Sequence, residues 1–325
     1  MGEGKPVGFN RAKRTPAIVA NQRRVFVAGI LEHIEQAGVH SGDSAMCLPP
    51  HSLSPELVAE IERQTAALAL ELGVLGLMNV QFAVRDGTLY VIEVNPRASR
   101  TVPFVSKAIG IQLAKVASRV MVGQSLDEQG VPERRPTMAH WCVKESVFPF
   151  VKFPGVDTVL GPEMRSTGEV MGVGHDFAEA FAKAALGAGC VLPRSGTVFL
   201  SVRDEDKALI VEVGRELERL GFHILATGGT RDRLVAAGIG AELVAKVGEG
   251  RPHVVDAMLD GKVQMVINTP SGGRSLSDSF SIRRTALERG IPLVTSAAAA
   301  MATARAIESI ANAAPEVRAL QDLYG

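Results

Sequence analysis

Tyr90-Val-Ile-Glu-Val-Asn-Pro-Arg97 ends a predicted strand with a carboxylate and an amide two residues apart. Because side chains at i and i+2 share one face of a strand, Glu93 and Asn95 present oxygen atoms side by side. Oxygen ligands of this kind hold Mg²⁺ on nucleotide phosphates. Arg97 and Arg100 follow directly, and the planar fork of arginine suits phosphate oxygens. The stretch therefore predicts a site for a metal ion and a phosphate.

A second predicted strand precedes this one and forms a hairpin with it. Residues 78–84 and 88–94 both alternate between apolar and other side chains, and a turn sequence separates them. A two-residue loop at Asp86-Gly87 would pair Val84 with Leu89 and would set Val80 opposite Glu93. That register mixes polar and apolar side chains on one face.

A three-residue loop with Gly87 in the left-handed conformation gives a hairpin with one wholly apolar face, and this is the register we predict. It places Gln81 beside Glu93 and Asn95 on the other face. The alternative is an ordinary amphipathic hairpin whose polar face is solvated. The apolar face is formed by three cross-strand pairs: Phe82–Tyr90, Val80–Ile92 and Met78–Val94.

Residues 77–103, together with the stretch His-Ile-Glu-Gln-Ala-Gly-Val-His-Ser-Gly-Asp-Ser at residues 33–44, closely resemble the second ATP-grasp half of the carbamoyl-phosphate synthase large subunit. The resemblance implies that metal-bound ATP is held by this region, with Mg²⁺ or Mn²⁺ as the metal. The implied metal ligands are Gln81, Glu93 and Asn95. The residues implied to contact ATP are Gly38, Val39, His40, Ser41, Gln81 and Glu93, and those implied to act in catalysis are Arg97 and Arg100.

The same resemblance implies a site for ornithine. Its carboxylates are Glu35, Asp43 and Glu145, and acidic side chains suit a ligand with two amino groups. On burial statistics alone, solvated surface acids are about as good an explanation of these residues.

Composition predicts an intracellular protein of two or three domains, located in the cytoplasm. Its 35 basic and 35 acidic residues leave no net charge, which argues against a nucleic-acid partner. The odd number of cysteines, without a C-x-x-C pair, argues against a disulfide framework or a zinc site. An apolar run long enough to span a membrane, and a signal peptide, are both missing from the sequence.

Residues 1–24 match neither part of the family, so we predict an unmatched segment at 1–24, an ATP-grasp portion at 25–190 and a further domain at 191–325. The lysine and glycine-rich loop that complete an ATP-grasp nucleotide site are not found upstream. We therefore expect the chain to be the C-terminal portion of a longer polypeptide and to be inactive alone. A mis-set start, a frameshift and a split gene are all compatible with the sequence.

Strands and helices alternate beyond the Gly-rich residues 186–196, which predicts a doubly wound, mainly parallel α/β sheet with ligands at the carboxyl ends of its strands. The predicted strands are residues 197–202, 222–226, 262–267 and 291–296, with a helix at 206–220. Thr227-Gly-Gly-Thr230 lies at such a strand end, where free N–H groups and hydroxyls can bind an anion. A tight turn that needs glycine would produce the same short motif.

This region resembles the methylglyoxal-synthase-like regulatory domain of the same large subunit. The residues that match its nucleotide-effector positions are Ser201, Lys207, Thr227, Thr230, Lys246 and Asn268. Thr295 matches a position linked to the ornithine response. Pro270 replaces an expected threonine, which leaves the choice between UMP and IMP open.

The resemblance implies a ligase rather than a lyase. Methylglyoxal synthases carry aspartates where this chain has Gly250-Arg251 and Pro270-Ser271, so a catalytic base for triose phosphate is not apparent. The whole enzyme makes carbamoyl phosphate for pyrimidines and arginine from bicarbonate, two molecules of ATP and ammonia. The implied partners are the remainder of the large subunit and the glutamine amidotransferase small subunit that releases this ammonia. The implied substrates of this part are ATP and carbamate. The alternative is a non-catalytic regulatory module that binds effectors.

Overall fold

The computed structural model describes residues 12–85, 87–270 and 276–323, which fold into two compact units. The first unit contains the described residues up to Glu145, together with Val173–Ala180 and those from Glu316 onward. The second unit contains Ser146–Gly172 and Phe181–Pro315.

These units do not coincide with the predicted boundary at residue 190, and an ion pair within the second unit contributes to the difference. Asp157, in the segment that precedes the predicted boundary, accepts two hydrogen bonds from the buried Arg283 guanidinium, at 2.7 and 2.5 Å. A bidentate pair of this kind is strong and directional. It fastens the 146–172 segment to the second unit.

Seven strands form the first sheet, in the order β5-β4-β1-β2-β3-β6-β7, and the pairings described from β5 to β6 are antiparallel. The strands are β1 (Ala12–Asn21), β2 (Val25–Gln36), β3 (Met46–Leu48), β4 (Leu75–Arg85), β5 (Thr88–Asn95), β6 (Trp141–Val147) and β7 (Gly168–Gly174). The helices are α1 (Pro55–Glu71), α2 (Thr101–Ile109), α3 (Leu113–Met121) and α4 (Phe177–Gly187). A 3₁₀ turn spans Phe150–Lys152.

β1 lies inside the segment that the sequence left unmatched, yet it pairs with β2 on one side and β4 on the other. Two features hide this strand from sequence analysis. Lys13 and Arg14 interrupt the apolar pattern, and Pro16 is rare in a central strand because it has no N–H to donate. Hydrogen bonding to both β2 and β4 stabilises β1 as a strand, although its own sequence does not predict one.

One face of the sheet forms a hydrophobic core with α1. Ile18, Ile30, Val80 and Phe82 from three neighbouring strands are fully buried there, together with Ile61 of the helix. The start of α1 is capped, because the Ser54 side chain accepts a hydrogen bond from the Leu57 N–H and Pro55 occupies the first turn. Gln81 lies between Val80 and Phe82 in β4, so its side chain is on the other face of the sheet.

The second unit contains a parallel five-stranded sheet in the order β10-β9-β8-β11-β12, which confirms the predicted α/β fold class. The strands are β8 (Thr197–Val202), β9 (His223–Ala226), β10 (Glu242–Leu243), β11 (Met265–Thr269) and β12 (Leu293–Val294). The helices are α5 (Lys207–Arg219), α6 (Gly228–Ala236), α7 (Val254–Leu259), α8 (Phe280–Arg289) and α9 (Ala297–Asn312); 3₁₀ turns span Asp204–Asp206 and Leu320–Leu323.

The predicted strands and the helix at 206–220 are all present in that unit, with ends that differ by a few residues. In β11 the shift is toward the carboxyl end, so that Asn268 belongs to the strand. In the parts of the chain that the structure describes, no helix is long and apolar enough to cross a membrane.

A buried ion pair joins β1 to β2. Arg14 donates to Glu32 at 2.9 Å, and the two side chains are only 6% and 2% exposed. The Glu32 carboxylate also accepts hydrogen bonds from the backbone N–H groups of His51 and Ser52, at 2.8 and 2.9 Å. These contacts compensate the buried charges of Arg14 and Glu32. Removal of one partner would leave the other charge buried and unpaired, which lowers the free energy of unfolding.

Replacing Glu32 by Gln is expected to lower the free energy of unfolding by about 3 kcal/mol at neutral pH, because the buried Arg14 loses its counter-charge. Burial alone would raise the pKa of Glu32, but hydrogen bonds from His51 and the charge of Arg14 lower it from 4.5 to about 2. The stabilisation by the carboxylate is therefore complete above pH 4.5 and is lost as the pH falls toward 2.

Urea unfolding of the wild-type chain and of Glu32→Gln across this pH range measures the effect. The exposed Glu71→Gln is the matched control and should change little. A difference between wild type and Glu32→Gln that stays constant through the acid range would contradict this account.

Candidate active site

The hairpin of β4 and β5 has a register that differs from the predicted one. Arg85 pairs with Thr88 and Val84 with Leu89, as a two-residue loop requires. The three-residue loop is therefore wrong, as are the pairs Phe82–Tyr90, Val80–Ile92 and Met78–Val94.

A β-bulge reconciles the two-residue loop with an apolar face. Phe82 pairs with Val91, whereas the next residue, Gln81, pairs with Glu93, so Ile92 is an extra residue in β5. Past the bulge, Val80 lies opposite Val94. Bulges re-aim side chains and are common beside active sites. This bulge places Glu93 opposite Gln81. The two side chains are therefore neighbours, as predicted, although the predicted register was wrong.

Two of the predicted metal ligands, Gln81 and Asn95, converge on a carboxylate oxygen of the third, Glu93. Gln81 donates from its amide nitrogen to Glu93 Oε1 at 2.5 Å, and Asn95 donates to the same oxygen at 2.9 Å. Among the described residues, no group of three His, Cys, Asp or Glu side chains could hold a metal ion. A metal here would therefore use amide oxygens as well as Glu93, which a rotation of each amide group makes available.

Of the two predicted catalytic arginines, Arg97 contacts this cluster. Arg97 donates to Asn95 Oδ1 at 3.2 Å and to the Ala98 carbonyl at 3.0 Å. Arg100 precedes the first residue of α2, and its side chain is exposed. The exposed Arg97 guanidinium is thus held next to the cluster while remaining open to an anion.

The predicted nucleotide-lining segment lies in the loop between β2 and β3, residues 37–45, which we call the 37–45 loop. His40 organises it, because its carbonyl accepts from the Asp43 and Ser44 N–H groups and its Nδ1 accepts from the Gly42 N–H. Ser41 Oγ accepts a hydrogen bond from Gln81 at 3.3 Å. The structure therefore brings this loop to the metal-ligand cluster.

Sequence analysis missed three residues of this site. Asn79 Oδ1 accepts from Asn95 at 3.4 Å, and its position two residues before Gln81 in β4 was the available signal. Lys13 and Lys144 each donate to a carbonyl of the 37–45 loop. They come from separate strands, and the sequence contains no local signal that connects them.

The predicted ornithine carboxylates are partly assembled. Burial, followed by the charge of nearby Glu145, raises the pKa of Glu35 to about 8, which favours its protonated form. Glu35 also accepts a hydrogen bond from the Ala45 N–H at 2.6 Å, and Asp43 is buried in the same loop. Thr295 belongs to the second unit, directly after β12.

Four of the predicted effector residues lie together at the carboxyl ends of β8, β9 and β11. Thr227 donates to Ser201 Oγ at 3.1 Å, Thr230 accepts from the Val202 N–H at 3.1 Å, and Asn268 donates to the Ser201 carbonyl at 3.2 Å. Asn268 Oδ1 is buried without a partner. Thr227 caps α6, whose first turn contains the two glycines.

The two predicted effector lysines are placed differently. Lys207 begins α5 and forms an ion pair with Asp204 at 2.6 Å, and its Nζ lies near Gly229 of the α6 first turn. Lys246 follows β10, where its backbone N–H bonds to Glu249. Pro270 follows β11 directly, whereas Ser271 lies outside the described residues.

Comparisons with known proteins assign both parts of the chain. Residues 18–129 match the family model of the carbamoyl-phosphate synthase L chain, ATP binding domain, and residues 209–295 match the MGS-like domain. A biotin carboxylase domain of a single-chain bacterial carboxylase is a structural neighbour with 17% identity and a TM-score of 0.45, over 55% of this chain and 47% of the neighbour.

Curated relatives match nearly the whole chain. The carbamoyl phosphate synthase large chain of Myxococcus xanthus is 54% identical over 93% of this chain, and that of Rhizobium meliloti is 57% identical over 92%. The large chain of Archaeoglobus fulgidus is 53% identical over 92%. This chain spans 28%, 26% and 28% of these relatives. The two domain matches and these identities show that the chain belongs to the carbamoyl-phosphate synthase large-chain family and corresponds to about a quarter of a large chain.

Proposed function

We propose that the chain forms the part of a carbamoyl-phosphate synthase that phosphorylates carbamate with ATP. The observation that carries this proposal is the convergence of Gln81 and Asn95 on Glu93, next to the 37–45 loop. A carboxylate with two flanking amides supplies the hard oxygen ligands that Mg²⁺ or Mn²⁺ needs on nucleotide phosphates.

In this proposal a carbamate oxygen attacks the γ-phosphorus of ATP, the bond to the β-phosphate oxygen breaks, and carbamoyl phosphate and ADP result. Phosphoryl transfer depends on positioning and on neutralising the charge of the phosphoryl oxygens. Arg97 and Arg100 would stabilise that charge, and the exposure of both side chains supports this role. Gly38, Val39, His40 and Ser41 would line the nucleotide.

The whole large chain and its glutamine amidotransferase small subunit would supply what this chain lacks, including ammonia. The buried, partly unsatisfied cluster at Ser201, Thr227 and Asn268 supports a second role as an effector site for a nucleotide such as UMP or IMP. If the chain does not take part in catalysis, that site alone would make it a regulatory module.

Glu93→Gln tests the phosphorylation proposal. We expect the substitution to reduce ATP formation from carbamoyl phosphate and ADP about a hundredfold, because it removes the single charge of the metal cluster. The measurement uses a chimera in which residues 25–325 of this chain replace the matching region of the Myxococcus xanthus large chain.

Bicarbonate-dependent ATP hydrolysis, which we assign to the other half of the large chain, should fall much less in the same variant. Glu56→Gln, on the exposed first turn of α1, is the matched control and should retain both partial reactions. Equal loss of both reactions in Glu93→Gln would show that Glu93 has only a structural role.

Thermal unfolding of the full chain tests the effector site. Binding of UMP or IMP to the folded state alone should stabilise it by about 2.7 kcal/mol at a hundredfold excess over the dissociation constant. Thr227→Ala should reduce the rise in melting temperature, because it removes a hydroxyl next to the α6 first turn. Thr167→Ala, at an exposed position of the same unit, should bind as wild type does. Without a shift for either nucleotide in the wild-type chain, the effector proposal fails.

Glu35→Gln tests the proposed ornithine site. A carboxyl group whose folded-state pKa is raised from 4.5 to about 8 contributes stability below pH 4.5 that is lost as the pH rises toward 8. The neutral variant should therefore have a higher free energy of unfolding than the wild type at pH 8 and about the same value at pH 4.

Denaturation at both pH values, with and without ornithine, provides the measurement. Ornithine should stabilise the wild-type chain more than the variant at pH 8, because only the wild type has the Glu35 carboxylate. Equal stabilisation of the two proteins by ornithine would place the ligand elsewhere.

A further inference from the structure

The 37–45 loop is held at two of its carbonyl groups by lysine side chains from other strands. Lys13 Nζ donates to the Val39 carbonyl at 3.0 Å, and Lys144 Nζ donates to the Gly42 carbonyl at 3.0 Å. These bonds bracket Val39, His40 and Ser41, the part of the loop that approaches Gln81. The loop's conformation therefore depends on charge-assisted bonds as well as on its internal hydrogen bonds.

Sheet topology explains why the two lysines reach opposite ends of the loop. Ala12 of β1 pairs with Gln36, the last residue of β2, so the next residue, Lys13, lies where the loop begins. Lys144 of β6 pairs with Met46, the first residue of β3, where the loop ends. In the sheet order, β1 and β6 flank the two strands that the loop connects.

Both lysine side chains are buried, so their ammonium groups need hydrogen-bond acceptors. Lys13 is 8% exposed and Lys144 is 1% exposed. A buried ammonium group is unfavourable unless its N–H groups find acceptors, and the loop carbonyls provide them. Both ammonium groups also lie close to the buried His33, whose pKa is lowered well below its usual range by burial first and then by Lys13 and Lys144.

Lys13 is also close enough to the metal-ligand cluster to interact with it. Burial lowers the pKa of Lys13, whereas the negative charge of Glu93 opposes that change. The lysine thus lies between the nucleotide-lining loop and the cluster that would hold the metal. Lys13 lies in the segment 1–24, which the sequence analysis did not assign to the family, so this arrangement could not be predicted from the sequence.

We propose that Lys13 is a positioning residue that, together with Lys144, fixes the 37–45 loop in the conformation that would receive the nucleotide. The identity of the ligand rests on the proposed function. The fixing of the loop does not, so the experiment that tests it contains no nucleotide and its failure is distinct from failure of the proposed function.

Hydrogen exchange of the full chain measures the loop directly. Lys13→Ala should raise the exchange rates of the Gly42, Asp43 and Ser44 amides on the order of tenfold, because a charge-assisted bond that closes the loop is lost. Amides of β2 should exchange as in the wild type. Lys115→Ala, at an exposed lysine of α3, is the matched control and should leave the loop amides unchanged.

Small amines separate hydrogen bonding from charge. Ethylammonium fits the space left by the lysine side chain and can donate N–H bonds, so it should slow loop exchange in Lys13→Ala toward the wild-type rate. Tetramethylammonium carries the same charge without an N–H group and should have no such effect. If Lys13→Ala does not fold, Lys13→Gln, which keeps a polar end group, is measured in the same way.

Three results would overturn the proposal. The first is a folded variant whose loop amides exchange at the wild-type rate. The second is faster exchange that extends equally through β2, which would indicate general destabilisation. The third is equal rescue by the two amines, which would assign the effect to charge alone.

Discussion

The pairing of β1 between β2 and β4 is the constraint on which the first unit depends. Without it, the strand that leads into the 37–45 loop and the hairpin that carries Gln81 and Glu93 would not share a sheet. β1 also supplies two buried cations, one on each face. Arg14 is neutralised by Glu32, and Lys13 is satisfied by the loop. Backbone pairing thus fixes the position of side chains whose burial would otherwise be unfavourable.

In β2, two carboxyl groups of one strand have pKa values that their environments shift in opposite directions. Glu32 faces Arg14 and several N–H groups, and its pKa falls to about 2. Glu35, three residues later, is buried near Glu145, and its pKa rises to about 8. The first carboxylate is a structural charge with its partners in place. The second is a carboxyl group whose ionised form a neighbouring cation would favour.

The second unit follows the general rule for parallel sheets. Ser201 of β8, Asn268 of β11 and Thr227, which follows β9, meet only because the carboxyl ends of those strands lie at one edge. Their polar groups bond mainly to each other and to backbone, and Asn268 Oδ1 is left unpaired. A buried acceptor without a partner favours a ligand that can donate to it.

The sequence by itself determined the hairpin, α1 with its Ser54 cap, and the parallel α/β sheet, because each of these depends on local periodicity and on residues close in the chain. It also placed Glu93 and Asn95 on one face, since that needs only the period of a strand. The bulge at Ile92 was decided by the tertiary structure, because the packing of Val80 and Phe82 against α1 selects the register. Only the tertiary structure could show that Lys13 and Lys144 hold one loop, because their strands meet β2 and β3 through pairings between distant parts of the chain.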